Sequence, residues 1–222
     1  MNKLFIVANL KSYKTKSEAK EWLEKFKVIA LNKDILQEKE IIVCPPFTLL
    51  YLFNSFFKDN NLDIKLGAQD VSEFGEGAYT GEINAKQVKE FADYILIGHS
   101  ERRTNFNETE KSLSKKTKLS LQNNLEPIFC VQGRETPVPQ GIKILAYEPV
   151  FAIGSGNPDT PENAQEIAKS YWDKNNNLTI LYGGSVTSGN VNSFTKEKNI
   201  GGVLVGGASL EAEEFIKIIE NA

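Results

Sequence analysis

Eight short apolar runs, distributed along the whole chain, constrain its fold more than any other feature. They are LFIVANL (4–10), EIIVCPP (40–46), IKLGAQD (64–70), YILIGHS (94–100), PIFCVQ (127–132), IKILAYE (142–148), LTILYGG (178–184) and GGVLVGG (201–207). Their apolar residues are nearly continuous and do not alternate, the pattern of strands covered on both faces in a parallel sheet. Helical periodicity fills the intervals. In SEAKEWLEKFKVIALNK (17–33), Ala19, Trp22, Leu23, Phe26, Ile29 and Ala30 recur at three-and-four spacing, with Lys and Glu on the solvated face. Similar stretches predict helices near 46–57, 84–92, 107–123, 160–174, 187–198 and 209–220. The segment TPENAQEIA (160–168) adds a Thr cap, a Pro at the first helical position and Glu162 in the first turn.

Strands alternating with helices predict an α/β fold, either an eight-stranded barrel or a doubly wound open sheet. The turn after the first strand, ANLKSYK, has no glycine-rich phosphate loop, and residues 1–70 hold a single glycine, Gly67. This counts against a nucleotide-binding sheet. With no linker and no shift in composition, residues 1–222 read as a single domain.

One connection is too short for its helix. Between PIFCVQ and IKILAYE lie nine residues, GRETPVPQG, two of them proline. A helical crossover normally takes a dozen or more. Nine extended residues reach ~30 Å at ~3.3 Å each, enough to return along a strand of ~17 Å. A bare loop is therefore predicted there, leaving a helical ring of seven and less cover for the flanking strands.

The charges exclude some partners. With 26 basic and 29 acidic side chains the net charge is −3, which gives no reason to expect nucleic acid or an anionic membrane. Two cysteines, Cys44 and Cys130, and one histidine, His99, have no metal-ligand spacing. The opening MNKLFIVANLKSYK is interrupted by Asn9 and Lys11 and fails as a signal peptide or membrane span, so a reduced cytoplasmic setting is expected.

Polar residues gather at the C-terminal ends of the runs: Asn9, Lys11, Gln69, His99, Glu101, Glu148, Gly183, Gly184, Ser185, Gly206 and Gly207. In α/β barrels this is the face on which sites are assembled. Asn9 and Lys11 are two apart and would point the same way from an extended strand. His99 precedes SERR, where Ser100 could cap a helical turn, and a helix N-terminus disfavours imidazolium. The pairs in YGGSV and VGGAS bring bare main chain together, with helices expected directly after both, a setting that attracts phosphate. In AYEPVFAIGSG (146–156), Glu148 ends a strand, Val150, Phe151, Ala152 and Ile153 form an apolar cover, and Gly154-Ser155-Gly156 supplies a hinge. A base, a neutral hydrogen-bond donor, a cation and a phosphate clamp suit proton abstraction beside a carbonyl in a small phosphorylated substrate.

The motifs GHSERR (98–103), AYEPVFAIGSG (146–156), YGGSV (182–186) and GGVLVGGASL (201–210), with GAYTGEI (77–83), resemble those of the triosephosphate isomerase family, in the family's order. The resemblance implies a (β/α)8 TIM barrel that interconverts dihydroxyacetone phosphate and D-glyceraldehyde 3-phosphate through an enediolate, in glycolysis and gluconeogenesis, with no cofactor or metal. It implies that Glu148 is the base, His99 the neutral electrophile, and Lys11 the cation that stabilises negative charge. Asn9 then contacts the reacting oxygens, Gly154, Ser185, Gly206 and Gly207 bind phosphate, and Glu101 contacts Lys11. It also implies a homodimer in which the loop 68–83 reaches the partner through Tyr79 and Thr80. Departures from the family pattern are Leu10 and Phe151, each where the family has Trp, and Gln132-Gly133 with no helix after it. Two other readings start from the same barrel. One keeps the phosphate site but changes the reaction, as in a sugar-phosphate or amino-acid-pathway isomerase or an aldolase, and a Schiff-base aldolase would need a further strand-end Lys where only Lys11 is so placed; the other is a non-catalytic scaffold, which would not need Glu148, His99 and Lys11.

Overall fold

The computed structural model describes residues 3–31, 33–153 and 156–222. Eight parallel strands, β1 (Leu4–Asn9), β2 (Lys39–Cys44), β3 (Lys65–Ala68), β4 (Tyr94–Ile97), β5 (Glu126–Val131), β6 (Ile144–Tyr147), β7 (Thr179–Tyr182) and β8 (Gly202–Val205), pair in sequence order and close as a barrel. The continuous apolar runs have the predicted cause, because alternate residues face two different interiors. Val7, Ile42, Leu96, Ile128, Ala146, Leu181 and Leu204 fill one cluster inside the barrel. Their neighbours Ile6, Ile41, Ile95, Phe129, Leu145, Ile180 and Val203 pack outward with the helices. Closure depends on Gly202. Its φ is +152°, and a Cβ there would stand 2.0 Å from the Phe5 carbonyl oxygen on the facing strand.

Among the described residues, the helices α1 (Lys16–Phe26), α2 (Lys33–Glu38), α3 (Phe47–Asp59), α4 (Ala85–Lys89), α5 (Ser100–Phe106), α6 (Glu110–Gln122), α7 (Pro161–Trp172), α8 (Val191–Thr195) and α9 (Ala212–Asn221) occupy seven of the eight positions around the sheet. Thr15 caps α1 in a reciprocal box with Glu18, and Thr160 caps α7 ahead of Pro161. Trp22 and Phe26 of α1 stack at 4.5 Å, and Phe26 lies 5.7 Å from Phe215 of α9, which ties the first helix to the last.

Several helices differ from the expected spans: the 84–92 pattern keeps only Ala85–Lys89, and the 209–220 pattern starts as the 3-10 turn Gly207–Leu210 before α9. The 17–33 pattern breaks after Phe26 into a 3-10 turn, Lys27–Leu31, where the β-branched Val28 and Ile29 disfavour another α turn. The 107–123 pattern begins late because Asn107, at φ +54°, ends α5 and Thr109 restarts the chain as α6. The 187–198 pattern keeps only five residues, since the Asn190 side chain folds residues 185–190 into a loop by accepting the Thr187 N–H at 2.8 Å and donating to the Ser185 carbonyl at 2.9 Å.

The β5–β6 connection carries no helix and no strand over residues 132–143, all of them described. The expected loss of cover does not follow, because β5 and β6 stay buried. The loop folds back on itself and α7 clasps it. Gln132 N–H donates to Thr136 Oγ1 at 3.0 Å, Tyr171 Oη donates to the Gly133 carbonyl at 2.5 Å, and Val138 packs on the core beside the buried Ile142. A groove of about 540 Å³ remains between this loop and the end of α7.

Candidate active site

Strand ends deliver the polar residues to one mouth of the barrel, where Asn9, Lys11, His99, Glu148, Ile153, Ser185, Gly206 and Gly207 line a cavity of about 250 Å³. Asn9 and Lys11 both reach it, though not as an extended pair. β1 ends at Asn9, and Lys11 takes φ +51°, a left-handed conformation costly for a side chain with a Cβ. Asn9 Oδ1 holds that turn by accepting the Lys11 N–H at 3.0 Å, and the Gln69 amide donates to the Lys11 carbonyl at 2.8 Å. The Lys11 ammonium then meets Glu101 Oε1 at 2.5 Å.

The cap of α5 is His99, not Ser100. Its Nδ1 accepts the Glu101 main-chain N–H at 3.2 Å, a role open only to a ring nitrogen with a free lone pair. Its Nε2 faces Glu148 Oε1 at 3.1 Å. Ser100 serves through its main chain, its N–H donating to Glu148 Oε2 at 2.8 Å, while its hydroxyl is buried with no partner among the described residues. Glu148 is 1% exposed and is fixed from behind by its own N–H on the Val131 carbonyl at 2.8 Å.

Glycines form the opposite wall. A Cβ on Gly183 would crowd Glu148 Cγ at 3.0 Å, and one on Gly206 would stand 3.1 Å from Lys11 Cε, so bare main chain lets the charged side chains lie against these turns. A 3-10 turn, Gly207–Leu210, starts directly after β8 as expected, whereas α8 begins only at Val191, because the loop held by Asn190 intervenes. Ser185 donates its hydroxyl to the Ala152 carbonyl at 2.6 Å, joining the β7 turn to the segment after Glu148. That segment opens as a 3-10 turn, Val150–Ala152. Val150 and Phe151 are more than half exposed, Ala152 is buried and Ile153 lines the cavity. Gly154, expected to bind phosphate, and Ser155 lie outside the described residues.

Other contributors gave weaker signals in the sequence. Burial, and then the Glu148 carboxylate, push the Cys130 thiol well above its ordinary range, so a protonated sulfur lies beneath the acid. Its place inside β5 could be read from the run; its contact with β6 could not. Behind the loop 68–83, Lys116 sits within 2.6 Å of Asp70 and also pairs with Glu108, while Arg102 lies 2.8 Å from Asp70 and 2.7 Å from Glu108. Burial raises the Asp70 carboxyl even with both cations beside it. The loop itself holds no helix or strand between Gln69 and Ile83, all described, and its base is closed by Ser72 N–H on the Ile83 carbonyl at 2.9 Å. Tyr79 and Thr80 are exposed at its tip, with Tyr79 stacked on Phe74 at 4.4 Å.

Comparison with known proteins agrees with this arrangement. The family model described as triosephosphate isomerase matches residues 4–141 and 140–222, two stretches that meet inside the shortened β5–β6 loop. Among similar proteins, the triosephosphate isomerase of Endomicrobium trichonymphae is 38% identical, covering 99% of each chain. That of Dictyoglomus thermophilum is 39% identical over 100% of both, and that of Leifsonia xyli is 43% identical over 81% of this chain and 82% of the relative.

Proposed function

The chain belongs to the triosephosphate isomerase family, and on that footing we propose that Glu148, His99 and Lys11 are the groups with which it interconverts dihydroxyacetone phosphate and D-glyceraldehyde 3-phosphate. Glu148 takes a proton from the carbon beside the substrate carbonyl. As that C–H bond breaks, its electrons form a C=C bond and the carbonyl π electrons move onto oxygen. The result is an enediolate and a protonated Glu148, which returns the proton to the neighbouring carbon. His99 donates its Nε2–H to the developing oxyanion and passes protons between the two oxygens, and the Lys11 ammonium balances the added negative charge. Asn9 contacts the same oxygens. Ser185, Gly206 and Gly207 hold the phosphate at the glycine wall of the cavity.

The observation that carries this assignment is the hydrogen bonding of His99: Nδ1 accepts the Glu101 N–H at 3.2 Å, and Nε2 lies 3.1 Å from the Glu148 carboxylate, placed to donate to it. A neutral imidazole donates a hydrogen bond to an oxyanion without supplying a competing strong acid. The apolar segment that begins at Val150 covers the base and excludes water while the enediolate exists.

The protein acts as a cytoplasmic homodimer, with the tip Tyr79–Thr80 of the loop 68–83 inserted into the partner. The exposed aromatic pair Phe74–Tyr79 and the ion cluster bracing the loop support this. Among the described residues no helix is long and apolar enough to cross a membrane. A coupled assay with glyceraldehyde 3-phosphate, run beside a sizing column, tests both parts. Turnover in a dimer-sized peak is expected; absence of turnover would overturn the activity, and an active monomer would overturn the assembly.

A further inference from the structure

The pairing of β1 with β8 ends at Ala8 and Val205, and beyond it the two strand ends are joined through Ser209. This serine is fully buried in the 3-10 turn Gly207–Leu210. Its main-chain N–H donates to the Gly206 carbonyl at 2.9 Å and its hydroxyl to the same oxygen at 2.7 Å, with the Asn9 carbonyl 3.3 Å from that hydroxyl. A trans peptide is planar, so holding the Gly206 carbonyl also fixes the Gly207 N–H, which points the opposite way from the same plane. Both glycines line the cavity.

Ser209 is held in turn from outside the barrel. Trp22, in the middle of α1 and 3% exposed, donates its indole N–H to the Ser209 carbonyl at 3.0 Å. Its ring packs among those of Phe26 at 4.5 Å, Phe53 at 5.8 Å and Phe215 at 6.4 Å. An apolar side chain would serve that packing as well. A buried indole brings a donor that needs an acceptor, and here the acceptor belongs to the turn behind the proposed phosphate glycines. Helix α1 thus reaches the cavity wall through a short hydrogen-bonded chain, from the indole to the Ser209 carbonyl and from Ser209 to the Gly206 carbonyl.

We infer that Trp22 is a positioning residue for phosphate: through Ser209 it fixes the direction of the Gly207 N–H and the place of Gly206 against Asn9. This rests on the reading of Gly206 and Gly207 as phosphate ligands. Trp22 does not line the cavity, so it acts on a ligand only through the turn. Main-chain donors bind an anion well only when they are already aimed at it, and loosening the turn removes that preorganisation.

The test uses the full-length parent, Trp22→Phe, which keeps a ring and loses the donor, and Ser209→Ala, which loses the hydroxyl. Phe26→Leu is the control, because it disturbs the same aromatic packing and no hydrogen bond to the turn. Each protein is titrated with inorganic phosphate by calorimetry, assayed with D-glyceraldehyde 3-phosphate and melted. Trp22→Phe and Ser209→Ala are each expected to bind phosphate roughly three- to tenfold more weakly, the worth of one buried hydrogen bond. Their kcat/KM should fall by at least the same factor. Phe26→Leu should melt lower and keep the parental phosphate affinity. Parental phosphate affinity in Trp22→Phe, an equal loss in Phe26→Leu, or an unchanged kcat/KM would reduce the indole to core packing and overturn the inference. If Trp22→Phe does not fold, Ser209→Ala decides alone, and parental phosphate affinity there overturns the inference. A parent that binds phosphate without turning over triose phosphate would overturn the proposed function and leave the calorimetry to decide the inference; a parent that does neither would overturn both.

Discussion

His99 Nε2 lies 3.1 Å from Glu148 Oε1, and the other carboxylate oxygen accepts the N–H of the next residue along, Ser100, at 2.8 Å. Both oxygens of the proposed base are thus engaged before any substrate arrives, one of them by the proposed electrophile. Glu148 must release at least one of these partners to take a proton from carbon. The same donors keep a desolvated carboxylate satisfied in the meantime.

Replacing the carboxylate with a neutral amide of the same shape isolates its role as a base. Glu148→Gln should leave the circular dichroism spectrum unchanged and lower kcat by roughly 10²–10⁴-fold. Near-parental turnover would mean that another group removes the proton.

The glycine wall makes a separate prediction about the cation. A methyl group at residue 206 would stand 3.1 Å from Lys11 Cε, while the corresponding position at Gly207 meets nothing within 4 Å. Gly206→Ala should therefore displace the Lys11 ammonium and lower kcat/KM by about tenfold, equivalent to ~1.4 kcal/mol of lost transition-state stabilisation. Steady-state kinetics check it; an unchanged kcat/KM would show that Lys11 yields at no cost.

The shortened β5–β6 loop should matter to stability more than to chemistry. Tyr171→Phe removes the hydrogen bonds to the Gly133 and Thr136 carbonyls, at 2.5 and 3.3 Å, that stand in for a docked helix. About 0.5–1.5 kcal/mol of unfolding free energy should be lost, measured by urea denaturation, with kcat unchanged. A fall in kcat would tie this loop to the site.

Acid should loosen the loop 68–83. Glu73 pairs with Lys115 at 2.7 Å, and that hydrogen bond, helped by the charges of Lys115 and Lys116, holds its carboxyl below the ordinary range. A folded-state pKa below the unfolded value of about 4.3 stabilises the fold above that value. The contribution is lost as pH falls through the lowered one. Asp70, raised by burial, acts in the opposite sense. Melting temperatures from pH 6 to pH 3 should therefore fall less steeply for Glu73→Gln than for the parent, the Asp70 contribution being common to both. Parallel curves would contradict this.

The sequence made the strands legible because residues such as Ile6 and Val7 are buried on opposite faces of one strand, which writes a continuous apolar run. The missing helix was equally legible, since nine residues with two prolines cannot form a helical crossover. Helix ends were less so, because Asn107 and Asn190 act through a left-handed φ and a side-chain loop that periodicity does not register. At the site, residue types at strand ends indicated Glu148, His99 and Lys11. The His99 cap and the Lys11 turn depend on which atom accepts which N–H, and composition does not carry that. The Trp22 contact was invisible for a further reason: its partner Ser209 lies 187 residues away, after the last strand.

The most direct test follows D-glyceraldehyde 3-phosphate by proton NMR in deuterium oxide with the parent and with Glu148→Gln. If Glu148 carries the proton through an enediolate, and that proton exchanges with solvent in a share of turnovers before it is returned, part of the dihydroxyacetone phosphate from the parent carries deuterium on the carbon that receives the proton, and the variant forms the product at least ~10²-fold more slowly. Absence of dihydroxyacetone phosphate with the parent, or equal rates for the two proteins, would contradict the account.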